Sequence, residues 1–162
     1  MMTDYQIISD EQVLDKIEKI KRTGRIFFSV GSMDYLIHGG RVGKVKGLAA
    51  STLGLKPLIS LKEGEIHPEG VTRSRKKAFA RIIEMAREHF LHSGENADEY
   101  TFASGYGYDY NECVDLKNQL VTSMQSYSSV KDMEIYQIGA TIGVHTGPYP
   151  LGMGLLKRYE YV

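Results

Sequence analysis

Lys56-Pro57-Leu58-Ile59-Ser60-Leu61, then Lys62-Glu63-Gly64, then Glu65-Ile66-His67-Pro68-Glu69-Gly70-Val71-Thr72 reads as one β-hairpin closed by a tight turn. Pro57 and Pro68 lack a backbone donor, so they belong at strand starts or on an edge. A hairpin is antiparallel and has no place in a purely parallel sheet. The segments around it alternate between helical and extended patterns. The expected fold is therefore α/β of the α+β type: a mixed, largely antiparallel sheet with helices packed on it.

Before the hairpin, Ser9 with Gln12 three residues on marks a helix start. Val13, Leu14, Ile17 and Ile20 follow at helical spacing, and Gly24 is the stop. Arg25 to Val30 is a short run of β-formers and reads as a buried strand. Ser32 caps a short helix that ends at Gly39-Gly40, and a second helix is expected from Val42 to about Leu53. After the hairpin, Ser74 opens a helix with Phe79, Ile82, Ile83, Ala86 and Phe90 on one face. A strand over Glu99–Ala103 comes next, then a helix with Cys113, Leu116, Leu120 and Met124 as its core stripe. The end reads as strands again: Met133 to Ile138, Thr141 to His145, and Leu151 to about Tyr159.

The chain has 162 residues, enough to bury a core as a single domain without staples. Its 20 Lys and Arg balance its 20 Asp and Glu. That argues against a nucleic-acid binder, which needs a basic surplus for phosphates. A lone cysteine excludes an internal disulfide and a cysteine-type zinc site. No signal-like segment and no run of roughly 18 apolar residues is present. A cytoplasmic protein without stable membrane insertion is expected.

Four segments hold residues that can carry chemistry. In Leu36-Ile37-His38-Gly39-Gly40-Arg41 the glycines permit a close backbone approach, and Arg41 can offer its donor fork to a carboxylate or phosphate. The same motif also reads as an ordinary helix-to-helix turn. Arg73, Arg75, Lys76 and Lys77 crowd a strand-to-helix junction, where cations are unfavourable unless an anion is near; a solvated basic face is the alternative. Val144-His145-Thr146-Gly147-Pro148 combines imidazole, hydroxyl and a glycine turn suited to a ligand oxygen. Ser104-Gly105-Tyr106-Gly107-Tyr108-Asp109 has neither dinucleotide spacing nor a P-loop ending, and reads as a tyrosine-decorated turn. His89 and His92 have a metal-like spacing without a third ligand. No catalytic motif emerges, so no enzyme, cofactor or metal is expected.

These segments, in this order, resemble the C-terminal domain of the DegV family of fatty-acid-binding proteins from about Ile26 to Leu155. The resemblance rests on Val30 to Val42, Leu55 to Ile59 with Lys62 to Ile66, Arg73 to Ala78, and Ile142 to Pro148. It implies a carrier that clamps a long-chain fatty acid between two domains. It further implies presentation of the acid to a fatty acid kinase for phospholipid synthesis. Arg41, Arg73, His145, Thr146 and Gly147 would then lie at the carboxylate end, and Phe28, Leu58, Phe79 and Ile82 would line the acyl chain. The alternative function is an interaction module whose basic rim docks a kinase or another acidic partner. The family's N-terminal domain, a partner in this reading, is absent; a start at Met1-Met2-Thr3 suggests an excised or shortened protein. Ser104-Gly105, where relatives often have His-Ala, and Tyr149-Pro150 depart from the family pattern, and the tail from Lys157 to Val162 is longer than usual.

Overall fold

The computed structural model describes residues 9–41, 43–45, 47, 54–125 and 128–162. Helix α1 (Asp10–Thr23) begins with a full capping box: Gln12 N–H donates to Ser9 Oγ, and Ser9 N–H donates to Gln12 Oε1. It leads into β1 (Arg25–Ser29) and α2 (Asp34–His38), followed by a 3-10 turn at Gly43–Val45. Most of the helix expected from Val42 to Leu53 lies outside the described residues. The hairpin strands are β2 (Lys56–Lys62) and β3 (Glu65–Thr72). Positive φ at Glu63 and Gly64 makes their turn of the kind that matches strand twist. The longest helix, α3 (Arg75–Ser93), starts at a Ser74 cap and stops at Gly94 in the left-handed conformation. Then come β4 (Tyr100–Tyr106), α4 (Tyr110–Met124), β5 (Glu134–Gln137), α5 (Ala140–Thr146) and β6 (Leu151–Lys157).

The sheet order is β3-β2-β1-β6-β4-β5. Every neighbouring pair is antiparallel except β4 and β5. The mixed, largely antiparallel sheet expected from the hairpin is the observed one. Pro68 lies on β3, an edge strand, and Pro57 near the start of β2, both positions that spare a ladder bond.

Alternation along each strand divides the sheet into two unlike faces. Phe27, Leu58, Met153, Leu155 and Phe102 point to the face covered by α3 and α4. There they join Phe79, Ile82, Phe90, Cys113, Leu116 and Leu120 in the main core. Cys113 is fully buried, which pushes its thiol pKa up to about 11, a structural rather than reactive setting. The opposite face holds a smaller cluster of Val30, Met33, Leu36, Val45 and Ile59, with Phe28 and Ile66 against it. Much of that second face is open.

One expected element is wrong. Thr141 to His145 is not a strand but lies within helix α5. Its β-branched residues alternate as a strand would, yet Ile142 and Gly143 both donate to the Gly139 carbonyl and start a helical turn. Ile142 and Val144 point outward and stay exposed. Packing against α2 overrides local β preference here.

Candidate functional site

Chain geometry brings two of the sequence-selected segments to one point, the backbone of Gly39. Gly39 ends α2, and Gly40 turns the chain with φ of +67°. Arg41 N–H then closes the turn on the Leu36 carbonyl at 2.9 Å. The Arg41 side chain folds back so that Nη1 donates to the Gly39 carbonyl at 3.1 Å, and the residue remains exposed. From α5, His145 lays its imidazole on the same glycine. A Cβ at position 39 would overlap His145 Nδ1 and lie 3.1 Å from Cε1. His145 Nδ1 is buried without a hydrogen-bond partner. A cationic fork and an imidazole thus meet at one rim.

Thr146 and Gly147 sit just beyond. Thr146 is buried, and its hydroxyl donates to the Ile142 carbonyl at 3.2 Å, so it closes the helix rather than facing outward. Gly147 has φ of +74°, and the Tyr35 ring occupies the space of its missing side chain. Its glycine is required twice over, by backbone and by packing. Arg73 belongs elsewhere. It is exposed and follows Thr72, which pairs in register with Lys56 at the start of β2. Beside it Lys76 and Lys77 are exposed, but Arg75 is not part of that free rim. Its guanidinium grips Glu112 of α4 through Nε at 2.7 Å and Nη2 at 2.5 Å, and covers the Phe79 ring. Arg75 is an internal clamp between two helices.

The residues expected along an acyl chain are divided by the sheet. Leu58, Phe79 and Ile82 are in the main core under α3, while Phe28 lies on the opposite face. An opening of about 480 Å³ lies on the core side beside Phe27, Ser60 and Met85, and a larger one lies on the Phe28 face. There, Ile26, Leu61, Gly154 and Leu156 form the bed of a groove of about 790 Å³, with Ile20 of α1 beside them. Sequence reading missed its floor. Gly154 and Ala103, register partners, form that floor, and the pair Gly152 and Gly105 continues the same row of small residues beyond the groove. The signal was present in Leu151-Gly152-Met153-Gly154-Leu155, where glycine alternates with large apolar residues. One face of the strand is core and the other is floor.

The Ser104–Asp109 segment is a turn only from Gly107 on; Ser104, Gly105 and Tyr106 pair with β5 and β6 as the end of β4, and Asp109 caps α4. Gly107 N–H donates to the Pro150 carbonyl at 3.0 Å, and a Cβ there would overlap the Pro148 carbonyl oxygen. His92 Nδ1–H donates to the Glu88 carbonyl, and His89 packs edge-on to Phe90 and Tyr100. Among the described residues no cluster of His, Cys, Asp or Glu is arranged to hold a metal. Among them, too, no helix is long and apolar enough to cross a membrane.

Comparison with known proteins places this geometry. A stearic-acid-binding protein from Eubacterium ventriosum has a crystal structure that superposes with a TM-score of 0.84 at 35% identity, over 96% of this chain and 52% of that one. The structure of a DegV family protein from Thermus thermophilus, described by its fatty acid binding, gives 0.78 at 28% identity, over 93% and 51%. A DegV domain-containing protein of Clostridium acetobutylicum is 30% identical over 149 residues, 91% of this chain and 50% of the relative. The chain thus spans about half the length of the relatives it matches. Residues 6–158 match the family described as uncharacterised protein, DegV family; the chain belongs to the DegV family.

Proposed function

We propose that this chain holds the acyl part of a long-chain fatty acid, in a non-catalytic carrier that works in the cytoplasm. The observation that supports this most directly is the open sheet face floored by Gly154 and Ala103, with Ile26, Leu61 and Leu156 beside them. A strand of seven residues extends about 23 Å, enough for a long acyl chain laid along it. Burial of that chain is worth about 0.8 kcal/mol per CH₂. Arg41 offers charged donors to the carboxylate and His145 a ring nitrogen. Relatives described as fatty-acid-binding proteins support the same assignment. No cofactor is needed for such binding.

In this reading the remaining half of the carboxylate site comes from the N-terminal domain that DegV relatives carry, and the chain alone binds more weakly. Native mass spectrometry of the lipid-stripped chain with added stearate tests it. The expected result is one acid per chain, with tighter binding once the N-terminal domain is supplied. A chain that stays empty at every stearate concentration sinks the proposal.

A second reading concerns the exposed Arg73, Lys76 and Lys77, which fit an acidic protein surface such as a fatty acid kinase that receives the acid. Reversing those three charges should weaken docking and leave the groove filled. Docking that survives the reversal rules this reading out.

A further inference from the structure

We propose that a second cavity, on the far side of the Gly147–Pro148 turn, binds a tetrahedral oxyanion such as phosphate or a phosphate monoester. It does not depend on the fatty-acid reading.

The cavity measures about 410 Å³ and is bordered by Gly31, Ser32, Lys56, Arg75, Thr146 and Tyr149. Lys56 stands at the start of β2, half-buried, and its Nζ donates one hydrogen bond to the Gly31 carbonyl at 3.0 Å. That bond anchors the ammonium and leaves its other two N–H groups uncommitted by it. Among the described residues no carboxylate lies within 4 Å of it. A partly desolvated ammonium without a counter-charge is costly, and an anion in the cavity would relieve that cost.

Arg75 supplies the second donor. The edge formed by Nε and Nη2 is fully engaged by Glu112, and Nη1 donates to the Tyr149 carbonyl at 3.0 Å. Nη1 keeps one further N–H. The guanidinium is therefore fixed in place before any ligand arrives. This arrangement also selects among anions. Arginine recognises a planar carboxylate best through a two-pronged edge, and that edge is already occupied. What remains are single N–H groups from two separate cations. Such donors suit an oxyanion with oxygens in several directions, and lysine binds phosphate as a point charge.

The surrounding charge agrees. Arg73 adjoins Lys56 across the β2–β3 ladder, and Lys76 and Lys77 follow on α3. Glu112 is neutralised by Arg75; Asp34, which accepts from the Ser32 hydroxyl at 2.6 Å, keeps its negative charge, so an anion is drawn to the Lys56 and Arg75 side of the cavity. The cation crowding at the strand-to-helix junction, unexplained by the Arg41–His145 rim, thus has a focus.

The test is titration of lipid-stripped, ¹⁵N-labelled protein with inorganic phosphate, chloride holding the ionic strength constant. Gly31 and Ser32 amides should shift and saturate, and Lys56→Met should weaken the apparent affinity at least about tenfold. Lys56→Arg, which keeps the cation, should retain binding, and a K56M amide spectrum dispersed like that of the wild type shows that its loss is not misfolding. Parallel titrations with glycerol 3-phosphate and with vesicles containing phosphatidate identify the carrier of the phosphate. Tighter binding of the monoester points to a small phosphorylated metabolite, equal binding to the free anion. Binding to vesicles with no response to either soluble phosphate overturns the proposal. So does the absence of saturation in wild-type protein at about 10 mM phosphate, weaker than any ordinary site, or unchanged affinity in K56M. Stearate binding is measured separately on the same samples, so either site can fail without the other.

Discussion

Gly39 and His145 are in direct contact, the backbone of one against the imidazole of the other, where α2 meets α5. Neither residue type explains the contact alone. The glycine gives up a side chain so that the ring can approach, and the ring is oriented by the backbone it rests on. The Arg41 side chain reaches the same glycine through its carbonyl. A guanidinium and an imidazole from distant parts of the chain are thereby tied to one residue that has no side chain.

Gly39→Ala should therefore act through His145. The added methyl overlaps Nδ1 and sits 2.9 Å from the Tyr35 carbonyl oxygen. Overpacking of this kind costs about 1–3 kcal/mol. Chemical unfolding of G39A, H145A and the double variant gives the coupling directly. The cost of G39A should shrink when His145 is already gone. Equal costs in both backgrounds would mean that the glycine serves only the turn.

Arg75 and Arg73 are two residues apart and should behave differently. Arg75→Ala removes a two-pronged bond to Glu112 and the cover over Phe79, with both charged partners about a quarter exposed. A loss of about 1–2 kcal/mol is expected, less than for a fully buried pair. Arg73→Ala, on an exposed side chain, should stay within about 0.5 kcal/mol. Thermal unfolding of the two single variants decides the matter, and similar losses would place Arg73 in the clamp as well.

Acid should weaken the fold partly through His89. Burial lowers its pKa below the ordinary 6.5, and the nearby Arg25 and Lys62 push the same way while Glu95 opposes them. The unfolded chain then takes up the proton first. Stability contributed by neutral His89 is complete above about pH 6.5 and is lost as pH falls towards the lower native value. His89→Gln should flatten the stability profile between pH 6.5 and the onset of carboxylate titration near about pH 4. An unchanged slope in urea unfolding across that range would contradict the assignment.

Much of the fold was written locally. Glu63-Gly64 sets the hairpin, Ser9 with Gln12 starts α1, and Ser74 and Gly94 bound α3, because each uses chemistry confined to a few neighbours. What failed was whatever depends on distant partners. Ile142 and Val144 alternate like a strand, but no neighbouring strand offers them a ladder. Phe28 and Leu58 are both apolar and both in strands, and only the register of β1 on β2 reveals that they face opposite ways. Arg41 and His145 stood out for their glycine company, whereas Arg75 looked like its free neighbours until Glu112 came into reach from α4. Lys56 gave no signal at all, since its setting is made by Gly31 and Arg75 from other segments.

Two glycines on one strand give the sharpest test of the groove. A Cβ at Gly152 would overlap the Phe27 carbonyl oxygen and lie 2.5 Å from Phe28 Cβ. Any side chain there must push β1 from β6, so Gly152→Ala should destabilise the protein by about 1–3 kcal/mol or more. At Gly154 the nearest atoms to a new Cβ are the Arg25 carbonyl oxygen and Ile26 Cγ1, both at the ordinary distance of 3.7 Å. Gly154→Leu should therefore fold with near wild-type stability, since glycine is itself unfavourable inside a strand. Its isobutyl group would stand in the groove beside Ile26 and Leu156. If an acyl chain lies along this face, G154L must lose affinity for stearate, and a shorter acid such as decanoate should be spared. Competition binding of the two acids to wild-type and G154L protein measures the difference. Full stearate affinity in a folded G154L variant would remove the acyl chain from this face of the sheet, whatever happens at Arg41 and His145.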